Sequence, residues 1–201
     1  MTTTNTDAQE RNSDGANPEG PQTPEEFFFR RLYGAHRSRH TGALQHWTPG
    51  SFTVEMFAVT GNATDAQFNA WALTAKLFAI FNSTRTDPER GYRDTGIGSW
   101  ARNVARSRSV SGDPGTERRV RSLVRASSIA ELDRVLTPMA RTRGISSPDW
   151  STVLAELTAW LDPHQRDRVR FDWARDFTAF RRNEKSTASA EAVEAPATPV
   201  Q

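Results

Sequence analysis

Between Phe68 and Phe81 the chain offers water almost no polar face. Phe68, Trp71, Ala72, Ala75 and Phe78 recur at helical spacing along one side, Leu73, Leu77 and Ile80 along another, and Lys76 is the one charge. Just ahead, Thr64-Asp65-Ala66-Gln67 has the pattern in which a hydroxyl and an amide three residues on cap a helix reciprocally. A helix that is apolar all round must be enclosed by other helices. The longest apolar window, Ala72 to Phe81, is too short to cross a bilayer, so no membrane partner is expected.

The rest of the chain supplies the enclosing helices. Thr23-Pro24-Glu25-Glu26 is a capping box with proline at the first helical position. It opens a helix predicted to about Arg39, with Phe28, Leu32 and Ala35 inward and Arg30, Arg31, Arg37 and Arg39 outside. In Thr41–Gly61 the residues Phe52, Met56 and Val59 fit a helical stripe, although Ser51 to Val54 would also suit a short strand; we read helix. Further on, Ser128-Ile129-Ala130-Glu131 is a third capping box, leading Ile129, Leu132, Leu136 and Met139 inward. Ser147-Pro148 starts a helix with Trp150, Val153, Leu154, Leu157, Trp160 and Leu161 as core. Asp162-Pro163-His164-Gln165 starts the last, where Val169, Trp173, Phe177 and Phe180 recur. The fold class is therefore all-α: two packed helical bundles, 23–110 and 111–184, parted at the SVSGDPGT turn after Arg108. Residues 1–22 and 185–201 hold almost nothing to bury and read as disordered acidic tails.

Charge is distributed unevenly. The net charge is +2, but residues 1–26 hold six acids and one arginine, and 184–201 three acids and one lysine, leaving an excess of nine positive charges between them. Gly96 to Ala126 alone carries seven arginines against Asp113 and Glu117. Trp100 and Val104 mark the inner side of one helical pattern, with Arg102 and Arg106 one turn apart on another side. In the next, Val120, Leu123 and Val124 make the apolar stripe, and Arg118, Arg121 and Arg125 repeat at i, i+3, i+7 opposite it. Local acids are too few to balance these rows, and planar guanidinium groups suit phosphate oxygens, so the pattern points to a polyanion surface.

Other chemistries find little support. With no cysteine there is neither a disulfide framework nor a thiolate metal site. His36 and His40 are four apart, but AHRSRH lacks the glutamate of a helical zinc motif and two arginines flank the pair; we expect surface or nucleic-acid-facing histidines and no metal or other cofactor. Gly91 and Gly96 have the glycine spacing of a phosphate loop without its lysine and hydroxyl. The carboxylates near arginines or helix starts are explained by pairing and capping, and no nucleophile elbow is present, so catalysis is not expected. The six tryptophans mostly fall in apolar stripes, with Trp47 and Trp100, beside basic loops, also able to stack on bases. Asn82 to Thr95 reads as a polar loop whose Arg85, Arg90 and Arg93 add to the basic stretch. The polar, acidic N-terminus is unlike an export signal, so a cytoplasmic location is expected.

The succession GIGSWARNVAR, a Gly/Pro turn, ERRVRSLVRASSIAELDRVL and then DWSTVLAELTAWL resembles the CasB family, the small subunit of the type I-E CRISPR surveillance complex, Cascade. The resemblance runs from about Trp71 to Phe180. It implies a non-catalytic protein of two helical bundles that pairs head to tail as a dimer within the complex, beside the other Cascade subunits and the crRNA. There it would brace the crRNA–target duplex and hold the displaced strand of the target DNA, stabilising the R-loop. Carried over residue by residue, the nucleic-acid contacts implied are Arg102, Arg106, Arg118, Arg121, Arg125, Arg141 and Arg143. From the residues alone two alternatives stay open. One is a stand-alone helix-turn-helix regulator built on 117–126 and 129–140, although Ile129, Ala130, Glu131 and Asp133 suit base reading poorly. The other is a helical scaffold whose arginines meet acidic protein partners.

Overall fold

The computed structural model describes residues 22–61, 63–89, 91, 94–108 and 114–191. They form α1 (Pro24–Arg37), α2 (Gly42–Gln45), α3 (Val54–Thr60), α4 (Asp65–Phe81), α5 (Ile97–Arg108), α6 (Pro114–Arg125), α7 (Ile129–Ala140), α8 (Trp150–Leu161) and α9 (Arg166–Glu191), with no strand among the described residues. The all-helical reading holds.

α4 is the central rod. Every residue from Ala70 to Phe81 is buried, and α2, α3, α7 and α8 pack around it. α1 joins through Phe28 against Trp71 and Tyr33 against Phe78, with ring centroids 4.9 and 5.3 Å apart. Trp150 of α8 meets Phe78, Phe81 and Trp100 edge to face at 5.6 to 6.0 Å, tying α4, α5 and α8 together. Lys76, the one charge of the rod, is buried and reaches Asp133 of α7 at 2.7 Å; Asp133 also accepts from Thr137. One apolar core thus runs through both halves of the chain, from Phe28 to Trp173.

Helix starts follow the capping chemistry with two shifts. A reciprocal box forms at Thr23, while at Thr64 the Gln67 side-chain oxygen accepts from both the Thr64 amide and its hydroxyl. At Ser128 the hydroxyl accepts from the Glu131 amide, but the Glu131 carboxylate reaches one residue further back, to the Ser127 amide at 2.7 Å. α8 is capped by Asp149 rather than opened by Ser147-Pro148, because Ser147 is buried and bonded to Glu89 instead.

Four other expectations need correction. α1 stops at Arg37, since Arg39 turns into the left-handed region at φ 58°. In Thr41–Gly61 the backbone forms α2 and α3 and no strand. Phe52 precedes the Thr53 cap and is 69% exposed, stacked on Phe57 and Phe68 at the surface, so the inward stripe is Met56, Val59 and Thr60. α9 is helical to Glu191, past the boundary at 184. His36 is buried rather than superficial: its Nε2–H donates to the Arg85 carbonyl at 3.0 Å, while His40 is exposed. The tail readings for residues 1–21 and 192–201, and that for the turn at 109–113, lie outside the described residues.

Candidate nucleic-acid interface

α5 is seated before its arginines are placed. The Glu156 carboxylate of α8 sits at the helix N-terminus, one oxygen accepting from the Ile97 amide at 2.8 Å and from Trp173 Nε1 at 3.0 Å. Burial pushes its carboxyl up from the ordinary range, with Asp176 and Asp172 adding to the rise, against the two hydrogen bonds that lower it. Close packing explains the glycines of GIG: a Cβ on Gly96 would stand 2.0 Å from Glu156 Oε1, and one on Gly98 2.7 Å from the Trp173 carbonyl oxygen. Gly91, at φ +87°, likewise lies against the Pro148 backbone. These glycines serve packing, not phosphate binding.

Ile97, Trp100, Ala101 and Val104 bury one side of α5. Arg102 departs from the outward expectation. It is half-buried, and its Nη1 donates to the Asp176 carbonyl of α9 at 2.9 Å, bridging the two helices. Arg106, one turn on, is exposed.

On α6, Leu123 is buried and Val120 packs on the core, placing the helix against α7 and α9. Arg170 of α9 donates to the Ala126 carbonyl just past the end of α6, where a cation complements the exposed carbonyls. Arg118, Arg121 and Arg125 stand exposed in one row on the far side, with no ion pair among the described residues. Arg119, between them, turns inward beside Ala101, Val104, Leu123 and Met139. Arg141 and Arg143 are exposed just after α7. Within single helices, then, spacing located the outward row on α6 correctly; it missed Arg102 because α9 approaches α5 from that side.

The neighbouring loop contributes less charge than its composition suggests. Arg85 lies over the Phe81 ring at 4.4 Å, donates to the Phe81 carbonyl and pairs with Glu89 at 3.1 Å. Arg90 and Arg93, and the Arg108 side chain, fall outside the described residues. Base stacking on tryptophan is excluded at both suggested positions, since Trp47 and Trp100 are 1% and 0% exposed. Glu156 was missed in the sequence because only the fold brings it to the start of α5, 59 residues away.

Residues 29–177 match the family described as CRISPR-associated protein Cse2. The chain belongs to that family. Cse2 membership makes it a small subunit of the type I-E Cascade complex, assembled with other Cascade subunits. The match begins at Phe29 and so takes in the N-terminal helices, which the sequence resemblance from Trp71 onward left out. Among solved structures, CasB from Thermobifida fusca superimposes with a TM-score of 0.55 at 20% identity, covering 75% of this chain and 93% of that one. CasB from M. ruber gives a TM-score of 0.55 at 20% identity, covering 86% and 99%. At that identity these two share the Cse2 fold with this chain. No curated protein sequence matches it.

Proposed function

We propose that this chain is a non-catalytic Cascade subunit that braces the crRNA–target duplex and holds the displaced strand of target DNA on the arginine face of α5, α6 and the end of α7. It works in the cytoplasm, paired with a second copy in the complex, and needs no cofactor. The observation that carries this reading is the row Arg118, Arg121 and Arg125, exposed and without a carboxylate partner among the described residues. Arg106, Arg141 and Arg143 extend it as further phosphate contacts, and Arg102 contributes by fixing α5 on α9. R-loop formation exchanges one duplex for another at nearly equal free energy, so neutralising the phosphates of the loose strand is enough to tip it. A helix-turn-helix role for α6 and α7 is disfavoured by Asp133, which is engaged with Lys76 instead of facing a groove.

The test is charge reversal at Arg106, Arg118, Arg121 and Arg125 in the assembled complex. Target search should persist, because guide pairing and recognition of the flanking motif lie elsewhere. R-loop lifetime and protection of the displaced strand should fall. The salt dependence should flatten by about 0.7 in log–log slope for each lost single-strand phosphate contact. An unchanged lifetime and slope in a fully incorporated variant would refute strand holding and leave these arginines as protein-docking contacts.

A further inference from the structure

The large apolar side chains that the described residues leave to solvent gather at α3. Phe52 is 69% exposed, Val54 83% and Phe57 49%. The rings are ordered against one another. Phe52 lies 5.9 Å from Phe57 with planes 16° apart, and both rest on Phe68 of α4 at 5.3 and 5.1 Å. Around the Thr53 cap, whose hydroxyl accepts from the Met56 amide, Phe52 and Phe57 hold the positions of a hydrophobic staple. A staple explains why the two rings touch. It does not explain why both stay so open to water, and Val54 beside them has no part in it. An apolar patch left open in this way marks a surface that another molecule covers.

The charges around the patch say which molecule. Glu55 leaves α3 about 200° around the helix from Phe57, with Val54 and Ala58 exposed between them. Asp65 stands exposed one turn before Phe68. Phosphates would meet these carboxylates, so the rings are a poor platform for nucleic acid. At the other end of the patch Arg31 of α1 reaches over Gly61. A Cβ on Gly61 would stand 2.9 Å from Arg31 Nη1 and 3.0 Å from the Phe57 carbonyl oxygen. Glu55 and Arg31 are both exposed, and neither has an ion-pair partner among the described residues. With an acid at the start of α3 and an arginine at its end, the patch is its own complement. A second copy turned about a two-fold axis, its α3 antiparallel, brings Arg31 of each copy to Glu55 of the other while the rings close over Val54.

We propose that α3 is a self-association surface through which two free copies pair about a two-fold axis. The area suits a weak pair. With about 200 Å² to a phenylalanine, the two open rings and Val54 present roughly 350 Å² of apolar surface. Doubled, and with the polar rim added, that comes to about 1,000 Å², the lower edge for specific association. This pairing is isologous, unlike the head-to-tail pairing that the family resemblance implies inside the complex. It is also independent of the function proposed for the arginines: α3 packs on α1, α2 and α4, and α6 on α7 and α9.

Sedimentation of the full chain tests this. The mass should climb from that of one chain to that of two and stop there, with a dissociation constant on the order of 10 μM. One chain at all concentrations up to about 200 μM, or growth past two, overturns the proposal. Phe52→Ser/Phe57→Ser should weaken pairing at least about tenfold, and unchanged pairing by this variant overturns the proposal. A charge swap tests the geometry without touching an apolar contact. Glu55→Arg and Arg31→Glu should each weaken pairing about tenfold at low salt, because like charges then meet across the axis. The two substitutions together should restore it, since opposite charges meet again. Failure of the combined variant to recover, with each single variant weakened, overturns the antiparallel arrangement.

Discussion

Glu156 illustrates how one side chain governs the placement of the basic surface. Its Oε2 accepts from both the Ile97 amide and Trp173 Nε1, so it fixes the start of α5 against α8 and α9. Because burial raises its carboxyl above the unfolded value, folding favours the protonated form. Its contribution to stability is therefore fullest below the unfolded glutamate value, declines as pH rises through the raised folded value, and is flat above it. Glu156→Gln retains an oxygen for both donors and does not titrate. That component of the pH dependence, which lies between the unfolded glutamate value and the raised folded one, should disappear in denaturant titrations, whereas Glu156→Ala should lose about 2–3 kcal/mol by stranding two buried donors. Two glycines make a matching contrast. Gly98→Ala would drive a Cβ to 2.7 Å from the Trp173 backbone, prising α5 from α9 at a cost of about 2–3 kcal/mol. In α1, Gly34→Ala meets nothing within 4 Å and should add about 0.5–1 kcal/mol. Chemical denaturation reads both.

At the level of elements, cross-helix polar contacts set which helix faces outward. Lys76 pairs with Asp133 to lock α4 on α7, Arg170 closes the end of α6, and Arg102 bridges α5 and α9. The arginines of the basic block thus divide into those that hold helices and those that face water. Arg102→Ala should destabilise by about 1–2 kcal/mol, since the Asp176 carbonyl loses a charged donor. Arg121→Ala, exposed on α6, should stay within about 0.5 kcal/mol of the parent. Equal losses at the two positions, measured in urea, would contradict this division. Helix spacing alone assigned both to the outer face, because periodicity says which residues share a side and not what packs there.

The whole molecule is one core with charge displaced to its ends. Apolar contacts run without a break from Phe28 to Trp173, and the acids of residues 1–21 lie before the first of them. Deleting 1–21 should shift the melting temperature by no more than about 2 °C, because the segment has little apolar surface to bury. A drop of several degrees in a thermal scan would contradict this reading of the segment's composition.

Sequence alone determined the helical class, the buried rod at Phe68 to Phe81, the caps at Thr23 and Thr64, and the outward row on α6. Each depends on residues within a few turns of one another, where spacing and local hydrogen bonding suffice. Tertiary structure alone decided what depends on contacts between distant segments. His36 is buried because the Arg85 carbonyl meets it, Trp47 and Trp100 are core because neighbouring helices close over them, and Phe52 is left outside. Arg102 is drawn from the basic row by a carbonyl 74 residues away, and Glu156 reaches the start of α5 across 59. The physical reason is the same in each case: a side chain's role follows from whatever fills the space beside it, and that neighbour is fixed only when the helices pack.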